Sequence, residues 1–278
     1  MAVHVAAEIG SNWCGSLDLA LAHIRAAKEC GADSVKFQLF RAESLESDPV
    51  KQAKRKPYEL PLEWLPILKE ECVKQGLQFG VTPFAVDLVE PLRGNVDYVK
   101  IAALDSGYDD LIKSAAGLGV PMVISVAGIT ESKMHDLLAL IYEECFNCDS
   151  VTLLWGVTHY PALPEEMNMK AMSHLLDEFG FLVGLSDHTI GYEAAIVATS
   201  LEASHIEKHF SLSLAQYPQL LKSPDCGHSL EPHALAIMVS KIRMVEKMLG
   251  TGKLNGPNKH EKALHAWAKR SNEKPLRG

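Results

Sequence analysis

Short β-branched and apolar runs alternate with longer amphipathic segments along almost the whole chain, and few architectures accept a sequence written that way. Val3–Ala7 reads as a strand and Leu17–Cys30 as a helix; Asp33–Gln38 is followed by Pro61–Gln75, and Gln78–Thr82 by Val86–Leu92. The pattern continues with Tyr98–Ala102 and Tyr108–Leu118, Pro121–Val126 and Glu131–Phe146, then Ser150–Leu154 and Met169–Phe179. Leu182–Leu185 with Tyr192–Leu201 and Ser204–Lys208 with Glu231–Leu249 complete eight strand-then-helix units. Strict alternation implies a parallel sheet with right-handed crossovers, and eight units close an α/β fold of the (β/α)8 TIM barrel type. A doubly wound open sheet is the alternative, but no G-x-G-x-x-G follows the first strand. Gly31, Gly76, Gly119, Gly180 and Gly250 stand where helices should stop, a position that favours a left-handed backbone. The barrel is expected over residues 1–250, with the polar, basic stretch 251–278 as an extended or helical tail.

The 278 residues are 47% hydrophobic and 22% charged, ordinary for a globular protein with a substantial core. A net charge of −8 argues against a general nucleic-acid binder, yet a few local lysines can still hold an anionic small molecule. The first ten residues lack the basic start of a signal peptide, and their apolar run is broken by Glu8. No apolar stretch approaches the roughly 18 residues of a membrane span. The six cysteines therefore read as reduced thiols of a cytoplasmic protein, and the lone Cys145-x-x-Cys148 as neither a zinc nor a redox site.

Two long connections, Phe40–Leu60 and Phe210–Leu230, follow strands two and eight and so belong to the C-terminal mouth, where barrels place their active sites. The strand ends that point to the same mouth supply Glu8, Lys36, Gln38, Thr82, Lys100, Ser125, Thr158, Tyr160, Ser186-Asp187-His188 and Glu207-Lys208-His209. Lys36 and Lys100 lie within apolar strands, where a buried ammonium needs an anion or a carboxylate to answer it. Either a structural carboxylate pairs with each lysine, or the two hold a phosphate or carboxylate between them. His188 and His209 end neighbouring strands, which suits a divalent metal as well as it suits structural or acid–base histidines. Glu8 or Glu207 would coordinate such a metal or orient a ligand from behind.

At these residues the chain resembles the N-acetylneuraminate (sialic acid) synthase family over nearly the whole barrel, without the C-terminal antifreeze-like domain that most bacterial members append. The stretches that carry the resemblance are Ala7-Glu8-Ile9-Gly10-Ser11-Asn12, Gly31-Ala32-Asp33-Ser34-Val35-Lys36-Phe37-Gln38, Thr82-Pro83-Phe84 and Val99-Lys100-Ile101-Ala102. Tyr160-Pro161-Ala162, Leu185-Ser186-Asp187-His188-Thr189, Ile206-Glu207-Lys208-His209-Phe210 and Ser229-Leu230-Glu231-Pro232 follow in the family's order. The resemblance implies condensation of phosphoenolpyruvate with an N-acyl sugar aldehyde, giving a nonulosonic 2-keto acid and phosphate. It assigns the divalent metal, Mn2+ or Mg2+, to His188 and His209, and the phosphoenolpyruvate to Lys36, Lys100, Ser125 and Ser186. The sugar falls to Gln38, Tyr160 and Asp225, with Thr158 where an Asn often meets bound substrate, and Glu8 matches a family acidic group near the reacting centre. The chemistry asks for a catalytic carboxylate to stabilise the developing charge and take a proton from water, and Glu8 or Glu207 can supply it. The chain departs from the family at Trp13 and Cys14, where an Asn and a His are usual, and at Ala103, where a phosphate-contacting Ser is common.

Three functions compete on this reading: the synthase, a related phosphoenolpyruvate or pyruvate aldolase with another aldehyde acceptor, and a degenerate barrel that only binds. The retained Lys, Glu and His set favours the synthase. A homo-oligomer with small-molecule substrates, contacting neither nucleic acid nor membrane, is expected.

Overall fold

The computed structural model describes residues 2–144, 150–253 and 258–262. Strands β1 (His4–Gly10), β2 (Ser34–Leu39), β3 (Gln78–Pro83), β4 (Tyr98–Ile101), β5 (Met122–Ser125), β6 (Val151–Gly156), β7 (Leu182–Asp187) and β8 (His205–His209) close a barrel in sequence order. Every neighbouring pair is parallel, including β1 with β8. The helices are α1 (Leu17–Glu29), α2 (Ala42–Leu45), α3 (Pro49–Arg55), α4 (Leu65–Gln75), α5 (Asp109–Ala116), α6 (Glu131–Glu144), α7 (Ala171–Phe179), α8 (Glu193–Ser200) and α9 (Pro232–Leu249). The eight-unit barrel expected from the alternation is the fold found. Met1–Glu246 forms one compact unit and Lys247–Gly278 a second, of which 247–253 and 258–262 are described. Cys145 and Cys148 lie outside the described residues.

Local chemistry sets the element ends. The Ser16 hydroxyl accepts from the Leu19 amide at 3.3 Å and starts α1, which buries Ala20, His23, Ile24 and Ala27 against the sheet. Gly76 ends α4 with φ 64°, and the other four expected stop glycines are also left-handed. Two expectations change. The helix expected over 86–92 forms as separate 3-10 turns, Val86–Leu88 and Glu90–Leu92, because Pro91 has no amide to continue an α-helical ladder. The connection 40–60 is not a plain loop. Asp48 caps the Val50 amide at 2.8 Å, Pro49 fits the first turn, and α3 forms beside the mouth.

The strand alternation is unusual in chemistry. Outward residues such as Val5, Ala7, Ile9, Val35, Phe37, Phe79, Val81, Val99 and Ile101 join the helices in one large apolar core. Inside the barrel Tyr98, Val123 and Leu154 form a small apolar cluster of their own, and many other inward positions are polar yet buried. At the lower end His4 Nε2 meets Ser34 Oγ at 2.8 Å, Ser34 meets the Tyr98 hydroxyl at 3.1 Å, and the His4 and His205 rings stack at 4.8 Å. Gly80 makes this possible: a Cβ there would overlap the Tyr98 ring. Above this plug the interior opens to the mouth. Among the described residues no helix is long and apolar enough to cross a membrane.

Candidate active site

Four buried ionisable side chains, one each from β1, β2, β4 and β8, meet above the plug. Lys36 pairs with Glu8, donates to Thr82 Oγ1 at 2.8 Å and lies 3.6 Å from Glu207 Oε1. Lys100 pairs with Glu207 at 2.5 Å and donates to Ser186 Oγ at 3.3 Å. Both lysines therefore find carboxylates, and those carboxylates are members of the mouth itself. Two ammoniums and two carboxylates balance, which is what allows all four to be buried together.

The two acids are driven apart by their surroundings. Burial, followed by the Glu207 charge, raises the Glu8 carboxyl to about 7, although Lys36 opposes the shift. Burial also acts on Glu207, but Lys100 and Lys36 outweigh it and hold that carboxyl at about 2. Glu8 is thus the more readily protonated of the two acids and Glu207 the more firmly ionised.

The rim carries imidazoles. His188 points Nδ1 at the Val157 carbonyl, which fixes the tautomer and leaves Nε2 facing the mouth. There Nε2 meets the Tyr160 hydroxyl at 3.0 Å and Ser186 Oγ at 3.3 Å, and the Tyr160 ring stacks on His188 at 4.0 Å. The His188 and His209 ring centres are 6.0 Å apart. His209 Nδ1 is buried without a hydrogen-bond partner. Burial lowers the His188 imidazole to about 4 and the His209 imidazole well below its ordinary value, so both are neutral, as ligation requires. His209, Asp225 and His228 also bring one ligand atom each within 4.8 Å of one another. An orphaned buried nitrogen and a converging set of two imidazoles and a carboxyl group fit a divalent ion.

Behind the rim, Asp187 and Lys208 form a fully buried ion pair at 3.0 Å. Asp187 Oδ1 accepts from the Thr189 amide at 2.9 Å and its hydroxyl at 2.7 Å, and Lys208 donates to the Thr189 carbonyl at 2.5 Å. Neither residue lines the cavity, and through Thr189 the pair clamps the turn that follows His188.

A cavity of about 180 Å³ opens among these groups. It is lined by Glu8, Lys36, Gln38, Lys100, Ser125, Thr158, Tyr160, Ser186, His188, Glu207 and His209, so these expected residues share one mouth. Asp225 stands to the side on the β8–α9 connection, where its Oδ2 accepts from the Ser11 amide at 2.7 Å and the Ser11 hydroxyl at 2.6 Å. Gly10 gives it room, since a Cβ there would overlap Asp225 Oδ2. Ala103 lines the cavity, whereas Trp13 is buried beneath and packs edge-on against Trp64 at 5.5 Å. Sequence reasoning missed His228; its i,i+3 spacing from Asp225 was the signal that could have found it.

A model of the NeuB family matches residues 23–254. A pseudaminic acid synthase of Campylobacter jejuni is 34% identical over 269 residues, covering 91% of this chain and 76% of that protein. An N,N'-diacetyllegionaminic acid synthase of Legionella pneumophila is 32% identical over 290 residues, covering 98% and 80%. Among solved structures, an N-acetylneuraminic acid (sialic acid) synthetase from Leptospira borgpetersenii superposes with a TM-score of 0.87 at 29% identity, covering 96% of this chain and 91% of that one.

Proposed function

The chain belongs to the NeuB family, and on that premise we propose that it condenses phosphoenolpyruvate with an N-acyl sugar aldehyde to give a nonulosonic 2-keto acid and phosphate. The observation that carries this reading is the buried Glu8–Lys36–Glu207–Lys100 cluster, which lines the same cavity as His188 and His209. A phosphorylated enol acid needs cations for its phosphate and carboxylate, which Lys36 and Lys100 supply, with Ser125 and Ser186 as hydroxyl donors on the same wall. Gln38, Thr158, Tyr160 and Asp225 are left for the acceptor.

A divalent ion, Mn2+ or Mg2+, held by His188 and His209 would polarise the aldehyde oxygen. The methylene carbon of the enol then attacks the aldehyde carbon, and the new carbon–carbon bond leaves positive character at C2. Glu207, ionised and within the same ring of charges, stabilises that character. Water adds to C2 and gives a proton to Glu8, which passes it to the new alkoxide; the C2 hydroxyl then loses its proton to the phosphate as phosphate departs with the bridging oxygen and the ketone forms. The atoms of phosphoenolpyruvate, water and aldehyde are then fully accounted for by keto acid and phosphate.

The test is phosphate release from phosphoenolpyruvate with Mn2+ against a panel of N-acyl hexosamines and their 6-phosphates. One phosphate per keto acid formed is the expected result. Product formed from pyruvate, with no phosphate released, would transfer the site to an aldolase. No turnover with any acceptor or metal would overturn the reading.

A further inference from the structure

The β8–α9 connection carries a third imidazole to the rim. His228 sits in the 3-10 turn Cys226–His228, its ring 4.5 Å from His209 and nearly perpendicular to it, and 4.8 Å from Tyr160. Its Nε2 is buried without a hydrogen-bond partner, as is His209 Nδ1. Asp225 Oδ1 stands 4.0 Å from that His228 nitrogen, while Oδ2 is held by Ser11, so the carboxylate is aimed before any ligand arrives. Two unanswered nitrogens in one buried corner, beside a carboxylate with one oxygen already fixed, are costly unless something outside the chain completes them.

We propose that His228 and Asp225 join His209 in holding the divalent cation, so that Asp225 meets the acceptor through the ion rather than directly, and the site is imidazole-rich and selective for a transition ion over magnesium. The proposal rests on the reading that the mouth binds a metal through His209, and it adds ligands to that site from a loop. Magnesium prefers oxygen ligands and keeps most of its water, whereas imidazole nitrogens favour the later first-row ions. Because Asp225 is tied to Ser11, the bound cation also fastens the β8–α9 connection to the end of β1.

The probe is Co2+ added to the metal-free full chain, followed by calorimetry and by its visible absorption. His228→Ala, His228→Gln and Asp225→Asn should each weaken Co2+ at least tenfold and change the visible band, with the far-UV circular dichroism of the metal-free protein unaltered. Asp225→Asn keeps an oxygen for Ser11 and removes only the anionic donor, so it decides the matter even if a His228 variant folds poorly. Mg2+ should fail to displace Co2+ at equal concentration. Unchanged Co2+ affinity and spectrum in the His228 and Asp225 variants, with loss in His209→Ala, would overturn the added ligands and leave the parent reading in place. Retention of Co2+ by His209→Ala would remove both, and displacement by equimolar Mg2+ would overturn the selectivity.

Discussion

Replacing Lys36 by Met separates the donor site from the rest of the barrel. The Lys36 side chain is 3% exposed and its polar partners among the described residues are Glu8, Thr82 and Glu207, so water screens little of what its charge does. Truncating one partner of a buried charge contact costs about 2–5 kcal/mol. The lower end applies here, because Glu8 is already raised to about 7 by burial. Without Lys36 that carboxyl takes up a proton, and the remaining Glu207–Lys100 pair stays balanced. A loss of about 2 kcal/mol corresponds to phosphoenolpyruvate affinity about thirtyfold weaker. Calorimetry with phosphoenolpyruvate in the presence of Mn2+ measures it, with circular dichroism confirming the fold. Lys51→Met, on the exposed face of α3, is the control and should change affinity less than about twofold. An unchanged dissociation constant in Lys36→Met, or an equal loss in Lys51→Met, refutes the assignment of the donor anion to the cluster.

Acid should weaken the fold through His23, whose Nδ1–H donates to the Leu19 carbonyl at 2.7 Å while Nε2 accepts from the Leu212 amide at 3.3 Å. Burial lowers its folded value from 6.5 to about 4, so its contribution is complete above pH 6.5 and drains away as pH falls toward 4. A difference of that size is worth about 3 kcal/mol; urea midpoints of His23→Gln should be lower at neutral pH and flatter over that range, and an unchanged slope contradicts the assignment. Asp187→Asn strips the buried Lys208 of its counter-charge and should cost about 3–5 kcal/mol. Differential scanning calorimetry should show a midpoint about 10 °C lower, and a shift under about 2 °C would mean the pair does not clamp the His188 turn.

Most of the barrel was legible because its outward face and its order obey simple periodicity: Val35, Phe37 and Leu39 alternate with Ser34, Lys36 and Gln38 on one strand, and the stop glycines close the helices. The site was legible for the same reason, since a charge at an inward strand position has only the mouth or a partner to turn to. What escaped was set by pairing across the barrel. Nothing in the neighbourhood of Glu8 or Glu207 along the chain says that one is pushed up and the other down, because Lys36 and Lys100 come from other strands. His228 escaped because only its i,i+3 spacing from Asp225 marks it along the chain, while its place beside His209 is a contact between a turn and the end of β8. Helix α3 was hidden in a connection judged by its length rather than by the Asp48-Pro49 start signal within it.

A cation and a phosphorylated enol that occupy one cup lie close enough for phosphorus relaxation to report both without any acceptor. The 31P relaxation of phosphoenolpyruvate, in the presence of the protein and substoichiometric Mn2+, should be enhanced far beyond that given by Mn2+ alone. The enhancement should vanish in His209→Ala and in Lys36→Met. Relaxation equal to that of free Mn2+ and phosphoenolpyruvate, or an enhancement that survives both substitutions, would contradict the shared cup.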